Sequence, residues 1–531
     1  MALPAQPNIV IFMTDQQRAL QYFPAAWVEA NLGNLSQLSN SGLTFVNAIT
    51  NASRCSPSRG VLNTGLYAPA NGLVDVGGTL NKEWTTLSAY LAQAGYQSGY
   101  VGKWHMQSSF VAPANVLPPD SSTMAQETQL MATDYGIAGW DAPDAGTALG
   151  WNYSPRPTQP PTPADRYTST SNSLGGGPKS LNHNDCRIAD DAIAFLGTVS
   201  TATPFALVVS LVNPHDVWAD LYLRLQEQAF PEFPAAFDAL AHADEFVLPD
   251  SYSADNLSTK PAIQAATRAK YTATWAQSRK VDPPTQLGPA DALTYLKFYA
   301  YLTYLADQQL GRVYTALQQL PQFDDTLVLR LADHGELGMS HGGSMEKDCN
   351  VYAETISIPY IFSNPQMYAS AQTCSAQAGL VDVLPTLLGL IGAGVPAGLQ
   401  GSDLSALLSN PGATPTVNCS LFTYDDDTSV HIRAIQAAPG AVSVGSQPTG
   451  SAYKYAVYYA FGNDGKVDPG SLQYELYIPG ADGEIENLQP ANTALQAALH
   501  TLLTQRMSAL DSSRPALANA ITPSGWPATP P

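Results

Sequence analysis

The segment Asn8-Ile9-Val10-Ile11-Phe12-Met13 is apolar without interruption from Ile9 and stops at Thr14-Asp15. An apolar run this short and continuous leaves no face for water, so it predicts a strand covered on both sides, as in a parallel sheet. Runs at 97–101, 205–212, 326–332 and 358–362 read as further strands of the same kind. Between them, apolar residues at helical spacing predict helices over 84–94, 185–196, 290–320 and 380–391. Strand and helix alternating over most of the chain predict one large α/β domain across residues 1–419, its mostly parallel central sheet sandwiched by helices.

Two regions break that rhythm. Residues 107–180 are irregular and include Pro155-Arg156-Pro157 through Pro163 and Gly175-Gly176-Gly177-Pro178. So long an insertion in a compact domain usually serves function, and it is expected on the substrate side. From residue 420 the pattern changes to short alternating segments at 431–434 and 453–459, then a helix over 492–510 and a proline-rich tail. This predicts a smaller C-terminal α+β subdomain over 420–531.

Charge narrows the partners. The chain carries 24 Lys plus Arg against 44 Asp plus Glu, a net charge of −20, with no basic run to neutralise phosphates. Nucleic acid is therefore excluded as a partner. No stretch approaches the ~18 apolar residues of a membrane span. Met1 to Pro7 lacks a basic leader segment, so a cytoplasmic protein is expected, or a periplasmic one had a leader been trimmed. Cys55, Cys186, Cys349, Cys374 and Cys419 are odd in number, scattered and form no CxxC pair, which argues against a disulfide framework or a zinc site. Composition leaves self-association as a homo-oligomer open.

Four polar clusters follow predicted strands: Asp15-Gln16-Gln17-Arg18, Gly102-Lys103-Trp104-His105, Asn213-Pro214-His215-Asp216 and Asp333-His334-Gly335-Glu336. Singly, such an Asp is more often a helix cap and such a His a satisfied structural group. Ligands of open parallel sheets bind beyond the carboxyl ends of strands, so the four together predict one shared site.

The segment Cys55-Ser56-Pro57-Ser58-Arg59 resembles the C-x-P-S-R signature of type I sulfatases of the alkaline phosphatase superfamily. A second signature is similar from Gly95 to His105, where Gly95-Tyr96 leads through Ser98 to Gly102-Lys103-Trp104-His105. The likeness extends to Asn213–Asp216, Asp333–Glu336, Lys347, Tyr474–Tyr477 and Glu486–Leu488, and less specifically to residues 136–146. A lone cysteine is usually a small buried hydrophobe; two signatures in the family's order outweigh that reading.

The resemblance implies an alkaline-phosphatase-like fold and hydrolysis of sulfate monoesters. It implies oxidation of Cys55 to formylglycine by a formylglycine-generating enzyme, and a hydrated aldehyde whose one hydroxyl attacks sulfur. Asp15 and Asp333 would ligate a divalent cation together with residue 55. Arg59 and Lys103 would neutralise the sulfate. His215 and Lys347 would bracket the leaving oxygen, and His105 would take the proton from the second hydroxyl to expel sulfate.

This chain departs from the family at two places. Where many sulfatases have paired aspartates it has Asp15-Gln16, and where they have Asp-Asn it has Asp333-His334. The latter resembles the phosphonate monoester hydrolase and choline sulfatase branches. Gln16 is expected to offer its amide oxygen and His334 an imidazole nitrogen, with calcium favoured and manganese second. The intact Lys103 and His105 pair favours a sulfatase over a phosphonate or phosphodiester hydrolase, with promiscuity toward phosphate esters expected. Trp140, Trp151, Trp218 and Trp275 are available to stack on an aryl group or cage a quaternary ammonium. The acidic surface predicts a small ester with a neutral or cationic tail in preference to a heavily sulfated polymer.

Overall fold

Strand β1 (Asn8–Asp15) is buried along its whole length and lies between parallel β5 (Phe205–Pro214) and β6 (Thr326–Ala332). The computed structural model describes residues 3–19, 23–107, 121–142, 144, 183–217, 233, 235–415, 417–425, 429–444, 451–479, 484–514 and 520–530. The remaining strands of the large sheet are β2 (Gly42–Ile49), β3 (Gln97–Gly102), β4 (Trp140–Asp141), β7 (Tyr360–Ser363) and β8 (Gln372–Gly379). Their order is β4-β3-β5-β1-β6-β7-β2-β8.

Side chains alternate across this sheet because successive residues of a strand face opposite ways. Ile9, Ile11 and Met13 join Leu327, Leu329 and Leu331 in one apolar cluster, which includes helices α1 (Cys55–Thr64) and α7 (Val383–Leu390). Val10 and Phe12 join Leu207, Val209 and Val328 in another, closed by α4 (His183–Leu196) and α6 (Pro289–Gln318). Helices therefore cover both faces, which is why β1 needs no polar side before Thr14. Between these helices in the chain come α2 (Leu87–Gln93), α3 (Ser121–Tyr135) and α5 (Ala262–Arg279).

The strand at 358–362 was expected to be parallel; β7 instead pairs antiparallel with both β6 and β2. The chain leaves β6 at Asp333 and stays on that edge of the sheet through the site residues that follow. The next strand must then run back. Strands β2 and β8 were not anticipated. Gly42-Leu43-Thr44-Phe45-Val46-Asn47 interleaves polar residues and leaves Val46 56% exposed, while Gln372 to Gly379 holds no apolar side chain larger than those of Cys374, Ala376 and Ala378.

A second, antiparallel sheet of β9 (Cys419–Tyr424), β10 (His431–Ala437), β11 (Tyr453–Tyr459) and β12 (Gln473–Tyr477) has the order β12-β11-β10-β9, and α8 (Thr493–Ser513) follows it. Leu421, Ile435, Tyr455 and Leu499 extend the first apolar cluster, so this subdomain shares a core with the large sheet. Trp140 and Trp275 are packing residues: each is at least 92% buried in a hydrophobic cluster. Trp151 and Trp218 lie outside the described residues, as does most of the 107–180 insertion. Among the described residues no helix is long and apolar enough to cross a membrane.

Candidate active site

Strands β3, β5, β1 and β6 are consecutive and parallel, so their carboxyl ends open on one edge of the sheet. Asp15 closes β1, Lys103 follows β3, His215 follows β5 and Asp333 follows β6. Gly102 makes the exit from β3 feasible. Its φ is 101°, and a Cβ there would stand 2.0 Å from the Ser210 carbonyl oxygen. Strand β2, turned twice through antiparallel β7, runs in the direction of β1 and delivers the chain to α1.

Cys55 begins α1 and Arg59 lies one turn later, so their side chains share a face of the helix. Cys55 Sγ lies 3.2 Å from His334 Nε2 and 3.6 Å from Asp15 Oδ1. One potential donor atom from each of Asp15, Cys55, Asp333 and His334 lies within 4.8 Å of the others, and all four residues are buried. Arg59 Nη2 donates to Asp15 Oδ2 at 2.9 Å, and its Nε to Asp333 Oδ2 at 3.0 Å. Its Nη1 donates to the Lys103 carbonyl at 2.6 Å and to Ser210 Oγ at 2.9 Å. Lys103 Nζ is 2.7 Å from Asp15 Oδ2. The two serines of the motif also bind: Ser56 Oγ donates to the His105 carbonyl at 2.6 Å and Ser58 Oγ to the Asp333 carbonyl at 2.5 Å.

Electrostatics follow from this packing. Burial works against an ionised Asp15, but the Lys103 and Arg59 charges outweigh it and hold the carboxyl well below the usual range. Burial and the neighbouring Asp15 push Asp333 up. His334 is raised to about 9, because Asp333 and Cys55 overcome the effect of burial. Burial together with the Lys103 and Arg59 charges depresses His105, and burial with Lys103 depresses His215. Both imidazoles are thus neutral. Lys347 is raised because Glu346, 2.8 Å away, outweighs its burial; it stays an ammonium.

Gln16 differs from the expectation of a ligand. Its backbone has a φ of 65°, and the side chain is turned to Glu336 and Lys347. The amide oxygen accepts from Lys347 Nζ at 2.5 Å and the amide nitrogen donates to Glu336 Oε2 at 2.5 Å. The oxygen is engaged in holding Lys347. Only the Gln16 backbone N–H reaches the carboxylate group, at Asp333 Oδ1, 3.0 Å away.

Ser210, Glu346 and Asp144 were not among the candidate residues named from the sequence. Ser210 lies inside an apolar strand, and Glu346 simply precedes a lysine that the likeness had picked out. Asp144, inside the 136–146 stretch of weak likeness, accepts hydrogen bonds from the Trp104 and His105 amides 40 and 39 positions earlier in the chain, a contact no spacing rule anticipates. Two carboxylates, one imidazole and the side chain of residue 55 form a donor set that suits a divalent cation.

Residues 7–393 match the protein family described as Sulfatase. The chain is 24% identical over 444 residues to N-acetylglucosamine-6-O-sulfatase of Bacteroides thetaiotaomicron, covering 77% of this chain and 72% of that protein. It is 26% identical over 419 residues to the uncharacterized sulfatase YidJ of Escherichia coli K12, covering 76% and 71%. The structure of BT4656 with its substrate D-glucosamine-2-N,6-O-disulfate superposes with a TM-score of 0.65 at 19% identity, over 96% of this chain and 99% of that one. A phosphonate monoester hydrolase from Silicibacter pomeroyi superposes with a TM-score of 0.63 at 19% identity, over 97% of each chain. These two superpositions establish a shared fold.

Proposed function

The chain belongs to the sulfatase family and is a sulfuric ester hydrolase; from that premise we propose that it cleaves aryl or other small organic sulfate monoesters at residue 55, matured from Cys55 to formylglycine. The observation that supports this most is the meeting at Cys55 of two carboxylates, an imidazole and two cations from four separate segments. Asp15, Asp333, His334 and residue 55 would hold a divalent cation, calcium first and manganese second given the imidazole. When bound, the cation supplies Lewis acidity at the sulfate, and the matured residue supplies the oxygen nucleophile.

The remaining work belongs to the chain's own side chains. Arg59 has committed donors to Asp15, Asp333, the Lys103 carbonyl and Ser210, so it braces the two carboxylates. Lys103 meets Asp15 through one ammonium and has donors left for a sulfate oxygen. His105, neutral and with no hydrogen-bond partner at Nδ1 among the described residues, accepts the proton from the hydroxyl of residue 55. Lys347 is the protonated member of the pair at the leaving oxygen, and neutral His215 orients that oxygen. Cys55 is 2% exposed. A formylglycine-generating enzyme must therefore reach it before α1 packs.

Mass spectrometry of the peptide bearing residue 55, from protein expressed with that maturing enzyme, is expected to show an aldehyde or its hydrate in place of the thiol. Full sulfate-ester turnover by a protein holding only the thiol would overturn the reading. The contact of His334 with Cys55 favours one alternative, a phosphonate monoester or phosphodiester hydrolase. A large preference in kcat/KM for a phenyl phosphonate ester over an aryl sulfate would select it. Because relatives are named for N-acetylglucosamine-6-O-sulfate and ulvan, sugar sulfates belong in the same panel beside choline sulfate.

A further inference from the structure

Lys103 and His105 ride on a loop of uncommon shape. His105 has a φ of 58°, in the left-handed region that residues with a Cβ seldom occupy, and Gly102 before it has a φ of 101°. Such a conformation persists only where surrounding contacts hold it. Two do so here. Ser56 Oγ donates to the His105 carbonyl at 2.6 Å. At the two peptides before it, the Asp144 carboxylate accepts the Trp104 N–H at one oxygen and the His105 N–H at the other, both at 2.8 Å.

Asp144 is itself held. It is 2% exposed, and its backbone N–H donates to Glu127 Oε1 at 2.7 Å. The same Glu127 oxygen accepts the Trp140 indole N–H at 2.8 Å. Trp140 belongs to β4, which pairs with β3 at Tyr100, three residues before Lys103. Burial and the nearby Asp144 push the Glu127 carboxyl up to about 8, so near neutral pH it is largely protonated and does not repel its neighbour. The stretch Gly139-Trp140-Asp141-Ala142-Pro143-Asp144, a weak family likeness at the level of sequence, thus ends in a carboxylate that faces the loop of Lys103 and His105.

We propose that Asp144 is a positioning residue for the reaction: by clamping two consecutive amides it fixes the 103–105 backbone, and with it the Lys103 ammonium and the His105 imidazole, against residue 55. Glu127 and Trp140 fix Asp144 in turn. A carboxylate receiving two N–H donors is a strong, directional restraint, and it acts without touching substrate. Small displacements of an acid–base group cost rate far more than binding. The inference rests on the reading of His105 as the proton acceptor.

Asp144→Asn tests it, because an amide can accept from only one of the two N–H groups and turns a donor toward the other. The expected result is a kcat for an aryl sulfate lower by about 10- to 100-fold with KM changed by less than about threefold. Hydrogen exchange should quicken at residues 103–107 of the cation-free protein while β3 and α2 exchange as in wild type. Glu127→Gln, whose amide oxygen keeps both bonds, should stay near wild type. In a Lys103→Met/His105→Ala background Asp144→Asn should cost less than about twofold more, since it acts through those two groups.

Wild-type kcat in Asp144→Asn beside an inactive His105→Ala overturns the inference and leaves the site reading standing. Wild-type kcat in His105→Ala overturns the site reading. Full additivity in that triple variant overturns the inference by showing that Asp144 acts elsewhere. If Asp144→Asn does not fold, Glu127→Ala removes the anchor of Asp144 and should give a smaller loss confined to kcat; no loss there also overturns the inference.

Discussion

His334 and His341 are both fully buried and both flanked by two carboxylates, yet they differ in what their surroundings leave over. The His341 ring is used on every side. Nδ1 pairs with Asp255 Oδ2 at 2.9 Å, Nε2 with Glu354 Oε2 at 3.4 Å, and the face stacks on Tyr352 with centroids 3.5 Å apart. Lys260 continues the network from Asp255 to the Tyr477 hydroxyl, and Gln264 of α5 bonds Tyr458 and Glu475 of the second sheet. These groups join α5, the loop after β6 and the C-terminal sheet, and they satisfy one another.

At His334 only Nδ1 is tied to the backbone, at the Gly335 carbonyl. Nε2 faces Cys55, with Asp15 and Asp333 oxygens at 3.8 and 3.7 Å. Nearby, His105 Nδ1 and His215 Nδ1 are buried without a hydrogen-bond partner among the described residues. Buried charge is common to both clusters. Open valency directed at one point belongs only to the first, and that is the mark of a site that receives something.

The sharpest way to break this contrast is to neutralise one charge in the open cluster. Lys103→Met should lower kcat for an aryl sulfate by about 10²- to 10³-fold, the scale for removing one preorganised charge facing a transition state. Steady-state kinetics read the effect; a loss confined to KM would mean that Lys103 only binds. The matching change in the closed cluster is His341→Gln. It should cost about 3–5 kcal/mol of stability in urea unfolding, because Asp255 and Glu354 lose a buried partner. The kcat of its folded fraction should be that of wild type, and a selective loss of kcat would erase the distinction between the clusters.

A smaller effect concerns pH. Burial disfavours a charged His341, but Glu354 and Asp255 outweigh it and raise its pKa above 6.5. Its contribution is therefore complete below about pH 6.5 and is lost as pH climbs through the folded value. Glu354, lowered to about 2 by His341 despite burial, contributes above about 4.5 and loses its share as pH falls toward 2. The stability gap between wild type and His341→Gln should be widest between those limits and narrow on either side. Unfolding series across pH check this, and a gap that widened in alkali would show that His341 is neutral in the folded protein.

How much of this was readable from the chain alone depends on which physics each feature obeys. Buried parallel strands announce themselves by continuous apolar runs, so β1, β3, β5 and β6, and the polar residues that end them, could be placed. The spacing from Cys55 to Arg59 is one helical turn, and α1 indeed presents both to the two carboxylates. The direction of β7 was not readable, because an apolar run carries no sign. Strand β8 lacked even the run. Gln16 was misjudged because its left-handed φ, which turns the amide toward Lys347, has no mark in its side chain. Asp144 and Ser210 act through contacts to distant backbone and to Arg59, which pattern reading cannot reach.

The most direct test of the account is release of inorganic sulfate from an aryl sulfate by wild type and by Cys55→Ala, with equal folding verified by unfolding curves. If residue 55 supplies the nucleophile, the substitution lowers turnover on the order of 10⁴-fold or more. Turnover by Cys55→Ala equal to wild type would contradict the assignment of the reaction to this site.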